Sequence, residues 1–449
     1  MQTIIKIKQG TPRKEEWRMA QPVDFELCEG EQIAVIGDNG SGKSMFTDII
    51  TGRHPLLHQQ AKYNFAPSDK PFVSDNIKLV TFRDSYGESD ATYFLQQRWN
   101  QQEIDPEMPM VNGQPIISLS SGELRKYQLN KALEAHPRVL IIDNPYIGLD
   151  TQARQLLTDT LEKVVKGGET QLILVVAKWK DIPHFITHTV RVEHGVVHPK
   201  EAFVVQSAAD TPIPTRPFLS PEERQQDEKK ALLLFNNVSI GYGGRIILHQ
   251  LSWQVNRGER WALRGPNGSG KSTLLSLICA DNPQGYAADI RLFGHQRGSG
   301  ESIWEIKKHI GYVSPEMHRA YRHPLPALDI VASGMRDTMG LYGKVSAEEK
   351  EQCRHWMEVF GIETLAERQF LQLSSGEQRL VLLARTFVKE PDLLILDEPL
   401  HGLDETNSRR ALEVIDNYCT KQDKTLIMVT HYDDELPSCI QYAMTLEKH

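Results

Sequence analysis

The sequence predicts an α/β fold written twice along one chain, and three observations lead there. A glycine-rich loop of the form G-x-x-x-x-G-K-S stands at residues 37–44 and again at 265–272. Each copy follows an apolar run that reads as a strand (32–36, QIAVI; 260–264, RWALR) and precedes a run that reads as a helix (45–50; 273–278). The duplication then continues past the loop. LSSGE at 119–123 returns at 373–377, Asp143 returns as Asp397, and GLD at 148–150 returns at 402–404, all displaced by 254 residues. The loops themselves lie 228 residues apart, so the second copy carries 26 more residues between loop and LSSGE.

Composition narrows the function classes. The 449 residues suffice for two or three domains, and 40% hydrophobic with 24% charged residues is ordinary for a globular protein. No apolar run reaches the ~20 residues of a membrane span, and the opening MQTIIK does not read as a secretory signal. A net charge of −8 argues against nucleic acid as the main ligand. The five cysteines are scattered, with no metal-ligand spacing among them or the 16 histidines. The expectation is a reduced, cytoplasmic protein whose membrane role, if it has one, runs through a partner.

The elements follow in order. The first loop offers Gly37, Asn39, Gly40, Gly42, Lys43 and Ser44; the second offers Gly265, Asn267, Gly268, Gly270, Lys271, Ser272 and Thr273. Glycines let successive backbone N–H groups turn inward around phosphate oxygens, and the following helix presents its N-terminus to the same anion. Lys43 and Lys271 can reach β- and γ-phosphates, and Ser44 and Ser272 can ligate Mg²⁺. Two such loops imply two bound nucleotides. Ser120, Ser121 and Gly122, like Ser374, Ser375 and Gly376, stand at an expected helix start, where hydroxyls and free N–H groups suit a γ-phosphate. Apolar strands then deliver Asp143 and Asp397 to their C-terminal ends. Tyr242, ahead of the second loop, is a candidate to stack on adenine.

Between the copies, Pro199, Pro212, Pro214, Pro217 and Pro221 interrupt regular structure. SPEE at 220–223 reads as an N-cap with proline at the first helical position, opening a short charged helix that ends near Lys230. Ala231 then begins a strand. The expected division is one domain at 1–195, a linker at 196–231 and a second domain at 232–449.

With these motifs in this order twice, the chain resembles the ATP-binding cassette (ABC) ATPases: two P-loop nucleotide-binding domains in tandem, each with a helical subdomain. Near-equal halves, a short linker and no membrane segment most resemble the ModF type, tandem ATPases associated with molybdate transport. The resemblance implies ATP and Mg²⁺ as ligands and a head-to-tail pairing of the halves. Each ATP would lie between the loop of one half and the LSSGE run of the other. It implies that Ser44 with Asp143, and Ser272 with Asp397, hold Mg²⁺. It further implies that Glu398 polarises the attacking water and that His431 and Lys271 contact the γ-phosphate.

The halves differ where that chemistry is decided. Residues 394–399 read LILDEP, but 140–145 read LIIDNP, with Asn144 in place of the glutamate. An amide cannot accept the water's proton, and losing a positioned base lowers a rate by ~10²–10⁴. VAK at 176–178 lines up Lys178 with His431, and no first-half aromatic is in register with Tyr242; Trp17 is three residues off. The expectation is one hydrolytic site, built from the second loop with the first LSSGE run, and one site that holds ATP.

The glutamine that ABC transporters carry where the helical subdomain begins is missing from 79–83 (LVTFR) and 312–316 (YVSPE). The segment from Lys43 to Gly122 is also short, 79 residues against 105 in the second half. Three roles stay open on sequence: the ATPase of an import system, peripheral at the inner face of the membrane with an integral membrane permease; a soluble ATP-driven clamp on a ribosome, nucleic acid or protein; and a module that binds ATP as a conformational ligand only. Glu398 and His431 weigh against the third.

Overall fold

A computed structural model of the chain describes residues 2–58, 60–81, 110–111, 113–116, 119, 121–146, 148–204, 231–242, 245–321, 324–421 and 423–448. The helix expected between Ser220 and Lys230 lies outside these residues, as does Ser120.

Each half is organised on five parallel strands in the same spatial order. In the first half the order is Ile77–Thr81, Val139–Asp143, Gln171–Val176, Ile33–Ile36, His188–Glu193. In the second it is Ile310–Val313, Leu393–Asp397, Thr425–Val429, Arg260–Arg264, Tyr442–Thr445. The central strands Ile33–Ile36 and Thr425–Val429 are buried along their whole length, as expected for a parallel sheet covered on both faces. Two short strands, Val196–Val197 and Glu201–Ala202, add to the first sheet beside His188–Glu193. The sheet of the first half thus takes in residues up to Ala202.

An antiparallel sheet flanks each parallel one. Thr3–Gly10 pairs with Val23–Cys28 and Ala61–Tyr63 in the first half. Ala231–Tyr242 pairs with Arg245–Asn256 and Ile290–Leu292 in the second. The helix after each loop is wedged between the two sheets. Phe46, Ile49 and Ile50 of Lys43–Ile50 pack with Ile5, Phe25, Val35 and Ile173. Leu274, Leu275, Leu277 and Ile278 of Lys271–Ile278 pack with Phe235, Trp253, Trp261 and Leu263. Burying such a side chain contributes ~1.5–3 kcal/mol each, so the loops are held by the cores beneath them.

The second half adds a helical layer, Ala327–Ser333, Ala347–Val359 and Ser375–Phe387, around Trp356, Phe360, Phe370, Leu380 and Phe387. In the first half the helix Ser121–Leu133 carries the smaller cluster of Val111, Leu119 and Leu124. Among the described residues no helix is long and apolar enough to cross a membrane.

Candidate functional site

Each loop leaves the C-terminal end of a central parallel strand, where open α/β sheets bind their ligands. The backbone turns so tightly that side chains are excluded. A Cβ on Gly37 would fall 2.1 Å from the carbonyl of Val192, and one on Gly265 would fall 2.5 Å from that of Leu446. Lys43 Nζ donates to the carbonyls of Gly37 (2.5 Å) and Asp38 (2.7 Å), and Lys271 Nζ to those of Gly265 (2.6 Å) and Pro266 (2.9 Å). Burial lowers the pKa of both lysines, against the nearby carboxylates of Asp143 and Asp404 for Lys43, and of Asp397, Glu398 and Asp150 for Lys271. Ser44 and Ser272 sit exposed in the first turn of the loop helices, with Thr273 half-buried beside Ser272. Gly40, Gly42, Gly268 and Gly270 all have positive φ, and Gly42 and Gly270 are the N-caps of those helices.

The two halves meet head to tail. Asn39 N–H donates to Asp404 Oδ2 at 2.7 Å and its Nδ2 donates to the Gly402 carbonyl at 2.9 Å. Gly376 lies directly against Asn39, where a Cβ would come within 1.8 Å of Nδ2. The reciprocal contact, Asn267 N–H to Asp150 Oδ2, is longer at 3.4 Å. Ser374 caps the helix Ser375–Phe387: its Oγ accepts from Glu377 N–H and Glu377 Oε2 accepts from its N–H, a capping box. Of Ser121 and Gly122 the backbone is described, in the first turn of Ser121–Leu133. The first loop also lines a cleft of about 560 Å³, closed on its far side by Glu405, Thr406 and Arg409 of the other half.

At the strand ends the halves part. Glu398 N–H bonds to the Val429 carbonyl and Asn144 N–H to that of Val175, both at 2.9 Å, with φ of 50° and 53°. The turn is the same and left-handed; asparagine adopts it readily, whereas glutamate is held there against its preference. Arg379 does the holding. Its buried guanidinium donates to the carbonyls of Asp397 (3.0 Å), Glu398, Pro399 (3.2 Å) and Ser314 (3.1 Å). Sequence reasoning passed over Arg379 and its counterpart Arg125, although arginine follows the glutamate of LSSGE by two residues in both copies. His431 Nε2 lies 3.4 Å from Glu398 Oε1, both side chains largely buried. Burial, with Asp397 and Glu435 nearby, pushes the Glu398 carboxyl well above the usual carboxylate range. Burial also holds His431 below its ordinary value, with Lys271 adding to the effect.

Two sequence alignments change. Asp143 pairs across the sheet with Val175, and Asp397 with Val429. Two residues further on, the counterpart of His431 is therefore Ala177, not Lys178, which matches Tyr432. The short helices Trp179–Asp181 and Asp433–Glu435 repeat in the same register. Lys178 Nζ is paired with Glu435 of the other half at 2.8 Å. Trp17, three residues out of step, nevertheless occupies the place of Tyr242. Tyr242 Oη accepts from Asn282 Nδ2 at 2.7 Å, and Trp17 stacks on His54, the counterpart of Asn282, with ring centroids 4.5 Å apart. Both partners close the loop helix with the same bond, His54 N–H to Asp48 and Asn282 N–H to Ser276. The slip is absorbed in residues 11–22, which include the short helix Glu15–Trp17.

The donor chemistry fits ATP with Mg²⁺. Each loop brings an ammonium, a helix N-terminus and a serine hydroxyl, and the adjacent strand ends in a carboxylate, Asp143 or the largely buried Asp397. Hydroxyl and carboxylate oxygens are the hard donors Mg²⁺ takes alongside phosphates.

Comparison with known proteins agrees with this arrangement. The family profile described as ABC transporter matches residues 20–147 and 248–401. The ABC transporter ATP-binding protein ModF of Escherichia coli (strain K12) is 35% identical over 475 residues, covering 98% of this chain and 96% of that protein. An uncharacterized ABC transporter ATP-binding protein of Schizosaccharomyces pombe is 27% identical over 481 residues, covering 98% and 97%. The zinc uptake system ATP-binding protein ZurA of Listeria monocytogenes is 33% identical over 223 residues, covering 49% of this chain and 84% of ZurA.

Proposed function

The chain belongs to the ABC transporter family, and from that premise we propose that it is a tandem ATPase with one hydrolytic and one ATP-holding site, working as the ATPase component of a transport system. The observation that carries this reading is the inequality of the strand ends. Glu398 and His431 stand 3.4 Å apart in one half, whereas Asn144 and Ala177 occupy those positions in the other.

At the second loop, Lys271 and the N-terminus of Lys271–Ile278 bind the phosphates, and Ser272 and Asp397 hold Mg²⁺. The ion, when bound, neutralises charge on the phosphate oxygens. Glu398 orients the attacking water and takes its proton, and His431 donates towards the γ-phosphate. Asp150, from the first half, steadies the loop at Asn267. Ser120, Ser121 and Gly122 are the residues we assign to this ATP from the first half, and Tyr242 the one we assign to its adenine. At the first loop, Lys43, Ser44 and Asp143 bind a second ATP, Trp17 takes the place of Tyr242, and Ser374, Ser375 and Gly376 close over it. Asn144 and Ala177 stand there in place of Glu398 and His431, so this ATP is retained and joins the halves.

We assign one domain to each half, 1–195 and 232–449, joined by the stretch 196–231. The name of the Escherichia coli relative, which is matched along nearly its whole length, supports the transport role, and the ModF resemblance points to a molybdate-like oxyanion. The protein would act in the cytoplasm, docked on an integral membrane permease. Partner capture tests this, using Glu398→Gln protein with ATP, from detergent extracts and cytosol in parallel. An integral membrane protein recovered only with ATP is expected. Recovery of ribosomes, nucleic acid or soluble proteins alone would overturn the transport role.

A further inference from the structure

The loop that carries His431 is held from the other half of the chain. It runs from the end of Thr425–Val429 into the short helix Asp433–Glu435. Lys178 Nζ reaches Glu435 Oε1 at 2.8 Å, with the two side chains only 13% and 11% exposed. The other oxygen of Glu435 accepts the Thr430 hydroxyl at 3.1 Å. One carboxylate thus ties the beginning of the loop to its end, and Lys178 anchors that carboxylate. Lys180 adds a 2.6 Å pair with Asp434 and a longer one, 3.8 Å, with Glu435 Oε1, and Arg154 donates to Tyr432 Oη at 3.3 Å. His431 sits inside this frame.

The reverse arrangement differs. Asp181, the counterpart of Glu435, is held by Arg154 of its own half at 2.7 Å. A surface ion pair contributes little to rigidity. A buried one fixes its partners, because a carboxylate stripped of both water and counter-charge is strongly disfavoured.

We propose that Lys178 is a positioning residue for the second half's catalytic centre, anchoring Glu435 across the interface and, through it, the loop that sets His431 against Glu398. The inference rests on the reading of Glu398 and His431 as the hydrolytic pair. It adds to Asp150 a second contribution of the first half to the working site of the second, one that acts on the His431 loop.

The test is steady-state ATP turnover of the full chain, alongside equilibrium binding of a non-hydrolysable ATP analogue. The variants are Lys178→Met, Lys178→Arg, the charge swap Lys178→Glu with Glu435→Lys, and Glu398→Gln. Lys178→Met should lower kcat about 10- to 100-fold, the scale of an ångström-sized misplacement. KM and analogue affinity should stay within about twofold, since ground-state binding is untouched. Lys178→Arg should keep most of the rate, and the swap should recover much of it. Wild-type kcat in Lys178→Met would overturn the inference. So would a loss that Lys178→Arg shares in full and the swap does not recover. Should Lys178→Met fail to fold, the swap decides alone: recovered turnover supports the inference, and an inactive swap that still binds the analogue overturns it. Glu398→Gln separates the two levels, because near-normal turnover in that variant would sink the underlying hydrolytic pair instead.

Discussion

Asn39 and Asp404 are bonded across the two halves, backbone N–H to carboxylate at 2.7 Å, while the reciprocal pair Asn267 and Asp150 is drawn out to 3.4 Å. Each aspartate has two tasks. Its Oδ1 caps its own helix, Asp404 from Asn407 N–H (2.7 Å) and Asp150 from Ala153 N–H (2.8 Å), and its Oδ2 reaches over to the facing loop. The first loop is the more tightly clasped of the two, as suits a site that retains its ligand.

Serine can keep the cap but not the reach. Asp404→Ser should therefore lose the cross-half bond together with the 2.8 Å bond that Asn407 Nδ2 donates to the same oxygen, and a hydrogen bond to a charged group contributes about 1.5–3 kcal/mol. Asp150→Ser, with the longer contact, should lose less. Urea unfolding of both variants against wild type checks the order.

Glu398 pays for function in backbone strain. Its φ of 50° matches the 53° of Asn144, a conformation that asparagine accepts more readily than glutamate. Glu398→Asn should therefore raise stability, by up to the ~1–3 kcal/mol that such strain carries. It should also lower ATP turnover by ~10²–10⁴. Thermal unfolding and phosphate release, measured on the same preparation, test both halves of the statement.

Restoring a glutamate to the first half should not suffice. In a Glu398→Gln background, Asn144→Glu alone should leave phosphate release at the background level, because Ala177 stands where His431 does in the second half. Adding Ala177→His should raise it about tenfold or more, the scale of a positioned catalytic group. Equal rescue with and without Ala177→His would contradict the strand register that makes these residues counterparts.

His431 should leave a signature in the pH dependence of stability. Burial holds it below the ordinary 6.5, so the unfolded chain takes up this proton first as pH falls. Between the lowered folded value and 6.5 the unfolded state binds more protons, and stability rises with pH through that window and is lost on acidification. In His431→Gln this contribution disappears. Denaturation midpoints measured from about pH 5 to 7.5 should show a shallower slope in the variant than in wild type.

Most of the fold was legible because both copies repeat the same local signals. The apolar runs before each loop and before Asp143 and Asp397 read as strands, whereas the order of the strands in each sheet rests on the ladders between them. The misreading at Lys178 arose where VVAKW and MVTHY can be matched through a valine in two ways; only the ladder opposite Asp143 and Asp397 sets the register. Trp17 was missed for a related reason: spacing is informative along a paired strand, whereas the connection at 11–22 absorbs three residues without moving its aromatic ring off His54. The cross-half bonds of Asp404, Asp150 and Lys178 join residues 117 to 365 positions apart, and nothing local announces them.

The central claim is that one nucleotide turns over while the other is kept. It is tested by loading the wild-type chain with ATP labelled at both the α- and γ-phosphates, removing free nucleotide rapidly during turnover, and counting ATP and ADP per chain. The account expects one intact ATP to persist per chain across many rounds of phosphate release. Conversion of both bound nucleotides to ADP at the same rate would contradict it.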